Sequence, residues 1–281
     1  METSTGRMYR IDEYVLGDGN EEHSRLLSQC DYYRPAALEL LDRLNVRSGW
    51  RAVDFGCGPL GVLDLLSDRV GPTGHVIGLE YQAHMVGWAE QARVMRCLSN
   101  VEVIQGDARA SGLPAGSSDL AHARLLLSNI QRPEEVLREM VRVVRPGGWV
   151  ALQEVDWVSW TCIPAHPAWD ELRGVIASCW SGDVHIGSRT AHLLESAGLE
   201  EVTATATAQV VRAGDYQYDQ LLYFAERVRP RLVAELGADR YRQIVRELRD
   251  FLHQRKTLVV QEMLFQASGR VPIKSRRTSE T

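Results

Sequence analysis

The stretch "RAVDFGCGPLGVLDLLSDRV", residues 51–70, decides how the chain is read. "RAVDF" is a short apolar run of strand length. "LGVLDLLSDRV" spaces its leucines as one face of a helix does. Between them Gly56, Gly58 and Gly61 spell G-x-G-x-x-G. That order is strand, glycine turn, helix, the context in which the spacing signals a ligand cradle.

The same rhythm continues outward. "GPTG" closes the helix, "HVIGLE" is a second strand and "AHMVGWAEQARVMRCL" a second helix. "VEVIQGD" and "DLAHARLLL" read as strands three and four, "RPEEVLREMVRVV" as a helix, and "PGGWVALQEV" as strand five. Strands alternating with helices predict parallel strands with right-handed crossovers, hence a doubly wound α/β sheet. Upstream, "NEEHSRLLSQCDYY" and "RPAALELLDRLNV" read as two helices, with Pro35 opening the second. Downstream, residues 157–188 read as a helical insertion rich in Trp, and residues 215–255 as two helices split near Gly237. "SRTAHLLESAGL" is a helix between them. "EEVTATATAQVVR" and "TLVVQEMLFQASG" each read as one late strand, which suggests an antiparallel ending to the sheet. The expected organisation is a helical lid segment over 1–47, a main domain over 48–270 with those two insertions, and a disordered tail over 271–281.

Composition narrows the function classes. The 281 residues carry a net charge of −5 and are 44% hydrophobic, which suits a large domain with its own core rather than a basic nucleic-acid binder. No apolar run is long enough to span a membrane. The start lacks the apolar stretch of a secretory signal. Five scattered cysteines without a C-x-x-C pair suggest neither a disulfide framework nor a zinc site, so no metal and a cytoplasmic location are expected.

Charge separates the ligands that the glycine turn can serve. In open α/β sheets the ligand lies beyond the carboxyl ends of the strands. A pyrophosphate there would lie about 5 Å from Asp54 and be repelled by roughly 3 kcal/mol at an effective dielectric of about 20. S-adenosylmethionine is the opposite case, because its methionine end carries an ammonium and a sulfonium. Glu80 ends strand two, where a carboxylate can accept ribose hydroxyls, although a nicotinamide dinucleotide would use it too. Asp107, in "GDA", ends strand three, where it can accept an adenine amino group.

The series "VDFGCGPLG", "GLE", "QGDARASGLP" and "RVVRPGGWVALQE" resembles the successive motifs of class I S-adenosylmethionine-dependent methyltransferases, over roughly residues 48–156. "HLLESAGLEEV" resembles the last crossover helix and following strand of that family. The resemblance implies a Rossmann-like seven-stranded sheet with an antiparallel last strand. It implies S-adenosyl-L-methionine as cofactor and S-adenosyl-L-homocysteine as product. Cofactor roles fall on Asp54, Gly56, Cys57, Gly58, Glu80, Asp107 and Ala108. Tyr81 and Met85 would flank the ribose and adenine, and Arg124 would line the pocket. The lead-in "YVLGDGNEEHSRLLSQ" resembles a bacterial subgroup acting on small molecules, in which Tyr14, Arg25 and Gln29 would close over the cofactor. Helical N-termini in this family can also pack across a homo-oligomer.

The acceptor side is less marked. A His just beyond strand four is common in that subgroup, whereas this chain has "LLLSNI", with Ser128 and Asn129. Neither is a base at neutral pH. The remaining catalytic candidates are Tyr14, Glu154 and Asp156, the last two also reading as a strand end or helix cap. His166, His185 and His192 read as ordinary surface or core histidines. Asn129, Trp157, Trp160, Trp180, Tyr223 and Phe224 are the expected substrate contacts, with packing of the cap as the other reading for at least two of the four Trp between 157 and 180. The leading expectation is methyl transfer to a hydrophobic small molecule such as a secondary metabolite. It covers C-methylation of a prenyl or terpenoid chain, or N- or O-methylation. The alternatives are a cofactor-binding protein with a non-methylating role such as cyclisation, and an NAD-dependent oxidoreductase.

Overall fold

The glycine turn follows an inner strand of the sheet, in a computed structural model that describes Tyr14 and residues 16–273. Most of the expected tail, 274–281, and the first part of the expected lid, 1–13 with residue 15, lie outside the described residues. Helix α1 (Asn20–Arg43) precedes β1 (Arg51–Phe55), α2 (Leu63–Val70), β2 (His75–Glu80), α3 (Ala83–Met95) and β3 (Val101–Gln105). β4 (Ser118–Arg124), α4 (Pro133–Val143) and β5 (Val144–Asp156) complete the alternating half. Next come β6 (Thr161–Ile163), α5 (Pro167–Cys179), α6 (Thr190–Ser196), β7 (Glu200–Thr207) and β8 (Val210–Arg212). The chain then runs through α7 (Gln220–Arg227), α8 (Arg229–Leu236), α9 (Ala238–Leu252), β9 (Leu258–Val260) and β10 (Met263–Arg270).

Seven strands form one sheet in the order β3-β2-β1-β4-β5-β10-β7. β1 to β5 are parallel, and β10 runs antiparallel to both β5 and β7. The strand order reverses between β1 and β4, so a crevice opens beyond their carboxyl ends. Covered on both faces, β1 keeps Ala52, Val53 and Phe55 buried, which is why it reads as an apolar run rather than an alternation. One face packs Leu40, Leu41, Leu63 and Leu66 against the sheet, the other Leu137, Met140 and Leu194.

Four details depart from the sequence reading. Pro35 does not open a second helix; it lies inside the continuous helix α1. Tyr33, Ala37, Leu40 and Leu41 are buried on either side of it, and their burial outweighs the roughly 3 kcal/mol that an interior proline costs. The two late strands each break in two. β8 and β9 leave the main sheet and join β6 in a separate three-stranded sheet, ordered β6-β9-β8. Alternation continues through each break, so the pattern hides a change of hydrogen-bond partner. The 157–188 insertion accordingly contains a strand as well as a helix. The 215–255 segment holds three helices, because Pro230 cannot donate to α7 and stands instead in the first turn of α8. A third apolar cluster, including Trp160, Trp169, Leu221, Ile244, Leu248 and Val259, joins these pieces into one cap.

Candidate functional site

The turn after β1 is held by carboxylates. Gly56 and Gly61 have φ of 67° and 54°, in the left-handed region that favours glycine. A Cβ on Gly61 would stand 2.2 Å from Asp54 Oδ2. Asp54 is only 2% exposed. Its Oδ2 accepts from Val62 N (3.1 Å), and Oδ1 lies 2.7 Å from His122 Nδ1. Both oxygens are thus engaged, and Asp54 acts on the crevice through its charge and by bracing the turn. Glu80 does the same from β2: Oε2 accepts from Gly58 N (2.9 Å), Oε1 from Tyr81 N and Gln82 N (both 2.9 Å). Burial raises the Glu80 pKa in spite of these amide bonds. Asp107 pairs with Arg109 (2.8 Å), whose guanidinium holds its pKa below the usual carboxylate value.

Beyond the carboxyl ends of the strands all ten expected cofactor positions line one cleft: Asp54, Gly56, Cys57, Gly58, Glu80, Tyr81, Met85, Asp107, Ala108 and Arg124. Arg124 donates to Gly61 O (2.8 Å) and its guanidinium lies 5.9 Å from the Tyr33 ring centroid. Arg25 lines the same cleft. The Nη1 atoms of Arg25 and Arg124 are buried and have no hydrogen-bond partner. Two donors without acceptors, beside an acidic turn, fit a ligand with a carboxylate next to a cationic centre.

The cleft continues under the cap. Asn129, Trp157, Trp180 and Phe224 line it as expected. Ring centroids are 5.4 Å apart for Trp157–Trp180 and Trp180–Phe224, and 6.0 Å for Trp157–Phe224. Trp180 Nε1 donates to Asn129 Oδ1 (3.2 Å), which fixes one wall. Two expected contacts are elsewhere. Trp160 is fully buried behind the wall, edge-on to Trp157 and Trp169, because its ring fills the space between sheet and cap. Tyr223 is turned away, and its hydroxyl donates to Glu22 (2.6 Å).

Of the catalytic candidates only Tyr14 reaches the cleft. Its hydroxyl donates to Glu22 (2.6 Å) and accepts from Arg25 (3.1 Å), and burial drives its pKa up, so it serves as a donor rather than a base. Glu154 does not stand at the mouth. Fully buried, it accepts from Leu126 N (2.9 Å), Leu127 N (2.7 Å) and Ser128 N (3.3 Å), holding the bend after β4, and burial pushes it up to about 7. Asp156 caps the turn that follows β5, through Val158 N (2.9 Å), and meets His185 Nδ1 (2.9 Å). Burial alone would raise its pKa, but hydrogen bonds from Ser188, His185 and Val158 bring it below the usual value. His166 caps α5 and His192 is a surface group beside Glu195. Among the described residues no cluster of His, Cys, Asp and Glu could hold a metal.

Three residues were missed by sequence reasoning. His122 on β4 links Asp54 to Gln153 (3.1 Å), and Gln153 donates to Gln266 (2.9 Å), so a buried polar chain crosses four strands. Glu262 lines the cleft at 6% exposure, and Gln220 at 5%. The only signal for Glu262 was a charge inside the mostly apolar run "LVVQEMLF".

Residues 53–152 match the family model described as a methyltransferase domain. An uncharacterised 37.1 kDa protein in transposon TN4556 of Streptomyces fradiae is 40% identical over 136 residues, 48% of this chain and 39% of that protein. The demethylmenaquinone methyltransferase of Geobacillus kaustophilus is 36% identical over 152 residues, 53% of this chain and 63% of that protein. The chain thus spans less than two thirds of the length of either relative. The YcgJ protein from Bacillus subtilis shares the fold, with a TM-score of 0.58 at 19% identity, covering 84% of this chain and 98% of that one. Residues 53–152 thus carry a methyltransferase domain, and the strand order and acidic glycine turn are consistent with the class I, S-adenosylmethionine-dependent kind.

Proposed function

We propose that the chain transfers a methyl group from S-adenosylmethionine to an apolar, ring-bearing small molecule. The observation that carries this reading is the continuity of the cleft, from the acidic glycine turn to the wall of Trp157, Trp180 and Phe224. When bound, the cofactor supplies an electrophilic methyl group on a sulfonium. In this reading Arg25 and Arg124 hold the carboxylate of the methionine end through their partnerless Nη1 atoms. Glu80, bracing the turn, lies beside the ribose at the end of β2, Asp107 with its partner Arg109 lies beside the adenine amino group, and Met85 and Tyr81 flank the base. The lid residues Tyr14, Leu16 and Leu26 cover the cleft and exclude water. The protein's contribution is then alignment of the two reactants, which can lower a barrier by several kcal/mol. An aromatic wall favours a flat apolar acceptor, in line with the relatives named for demethylmenaquinone. The free state of all five cysteines and the absence, among the described residues, of a helix able to cross a membrane support action in the cytoplasm.

Calorimetry with S-adenosylhomocysteine tests the cofactor half, with micromolar binding expected. Methyl-labelled cofactor offered to a panel of aromatic hydroxyl compounds, prenyl chains and amines tests the rest. Binding of NADH instead of S-adenosylhomocysteine would overturn the proposal.

A further inference from the structure

Building on that reading, the geometry points to Glu262 as the proton acceptor for a ring-borne hydroxyl on the methyl acceptor. Glu262 stands where the chain crosses from the small sheet to the large one. Its neighbour Met263 pairs with Asp156, so Glu262 comes level with Trp157, one wall of the cleft. The crossing is pinned. Gln261 N donates to Gln209 O (2.8 Å), Gln261 Nε2 to Gln217 O (3.1 Å), and Ser159 Oγ to Gln261 O (3.0 Å).

Glu262 Oε1 accepts from Tyr33 OH at 3.3 Å, while Oε2 is buried and has no partner. The other carboxylates lining the cleft are already engaged: Asp54 by Val62 N and His122, Glu80 by three backbone amides, Asp107 by Arg109. Arg25, Tyr32 and Tyr33 of α1 and Tyr216 before α7 are the charged and titratable groups that act on Glu262. Burial raises all three tyrosines, so they keep their protons at neutral pH and compete with no base. Burial also pushes Glu262 up to about 7, opposed by Tyr33 and Arg25. A carboxyl that exchanges its proton near neutral pH suits general-base work.

The acceptor class follows from charge. A double bond surrenders no proton during methyl transfer itself; a proton leaves only from the cation formed afterwards, so Oε2 would have no part in that transfer. A protonated amine has no lone pair with which to attack the methyl group, and it would lie beside Arg25, Arg124 and the sulfonium. A hydroxyl enters neutral, and its ring can stack on Trp157, Trp180 or Phe224. As the O–H bond breaks, its proton passes to Glu262 Oε2; the oxygen forms the bond to the methyl carbon, and the electron pair of the broken C–S bond stays on sulfur.

The test uses the full chain loaded with S-adenosylhomocysteine, and calorimetry with 4-chlorophenol, 4-chloroanisole and 4-chlorobenzylamine. The phenol should bind at least tenfold more tightly than the anisole, and Glu262→Gln should remove most of that preference while leaving S-adenosylhomocysteine affinity unchanged. In the wild type the preference should grow as pH rises through about 7, which tests the inference without any substitution. Equal or absent binding of phenol and anisole, a preference that survives E262Q, or one flat from pH 5.5 to 8.5 overturns it. Glu262-dependent binding of the amine overturns the hydroxyl class. Failure of the wild type to bind S-adenosylhomocysteine strikes the proposed function instead.

Discussion

Asp54 and Glu80 share one task at the residue scale: each turns a carboxylate inward to hold backbone amides, Asp54 at Val62 just past the glycine turn and Glu80 at Gly58 within it and at the start of the turn after β2. Changing Glu80 to Gln places an amide NH2 against at least one of three N–H donors. Glu80→Gln should weaken S-adenosylhomocysteine binding about tenfold, roughly 1.4 kcal/mol, by calorimetry. His122 is 1% exposed and supports Asp54 from the next strand. His122→Leu would leave that buried carboxylate without its side-chain partner. Chemical denaturation should show a loss of about 3 kcal/mol. A loss below about 1 kcal/mol would mean that Val62 N alone suffices.

At the scale of elements, the lid and the cap are tied together by Glu22. Buried on α1, it accepts from Tyr14 OH, Arg25 Nε and Nη2, and Tyr223 OH, at 2.6–2.8 Å. One carboxylate thus links residue 14, α1 and α7. It also sets the guanidinium of Arg25 in the cleft. Tyr223 therefore serves lid closure rather than acceptor contact. Glu22→Gln keeps the shape and removes the charge. The expected result is faster proteolytic cutting ahead of α1 and an S-adenosylhomocysteine affinity about tenfold lower. Unchanged affinity with unchanged protease resistance would show that the lid is held by its apolar contacts alone.

Across the whole molecule the buried carboxyls set how stability varies with pH. Glu154 and Glu262 are both pushed up to about 7 by burial. A carboxyl raised in the folded state contributes stability that is complete below its unfolded value, about 4.3, and is lost as pH climbs through the folded one. Asp107, Glu139 and Asp156 are lowered instead, so their contribution disappears only in acid and stays constant between pH 5.5 and 8. Each raised group should therefore cost roughly 2 kcal/mol between pH 5.5 and 8. The thermal midpoint should fall by several degrees over that range. The double variant Glu154→Gln, Glu262→Gln should flatten most of the profile, the raised Glu80 keeping a remainder; an unaltered slope would assign it to other groups.

How much of this was legible differs by feature. The alternating half, the glycine turn and the gathering of the ten proposed cofactor positions in one cleft could be read because they depend on local pattern: apolar runs, turn glycines, and carboxylates at the ends of successive strands. The acceptor side could not. Trp157 and Trp160 stand three residues apart with the same chemistry, yet one lines the cleft and the other fills the core. The small sheet was hidden because period-two alternation fixes which face a side chain takes and leaves its strand partner open. His122 and Glu262 gained their meaning only from register, opposite Asp54 and level with Trp157. The sequence alone determined the sheet, its cofactor crevice and the charge that favours a sulfonium, since those follow from periodicity and from residues near one another in the chain. Only the tertiary structure decided which buried groups line the cap side of the cleft, because that depends on long-range pairing between segments such as β5 and β10, more than a hundred residues apart.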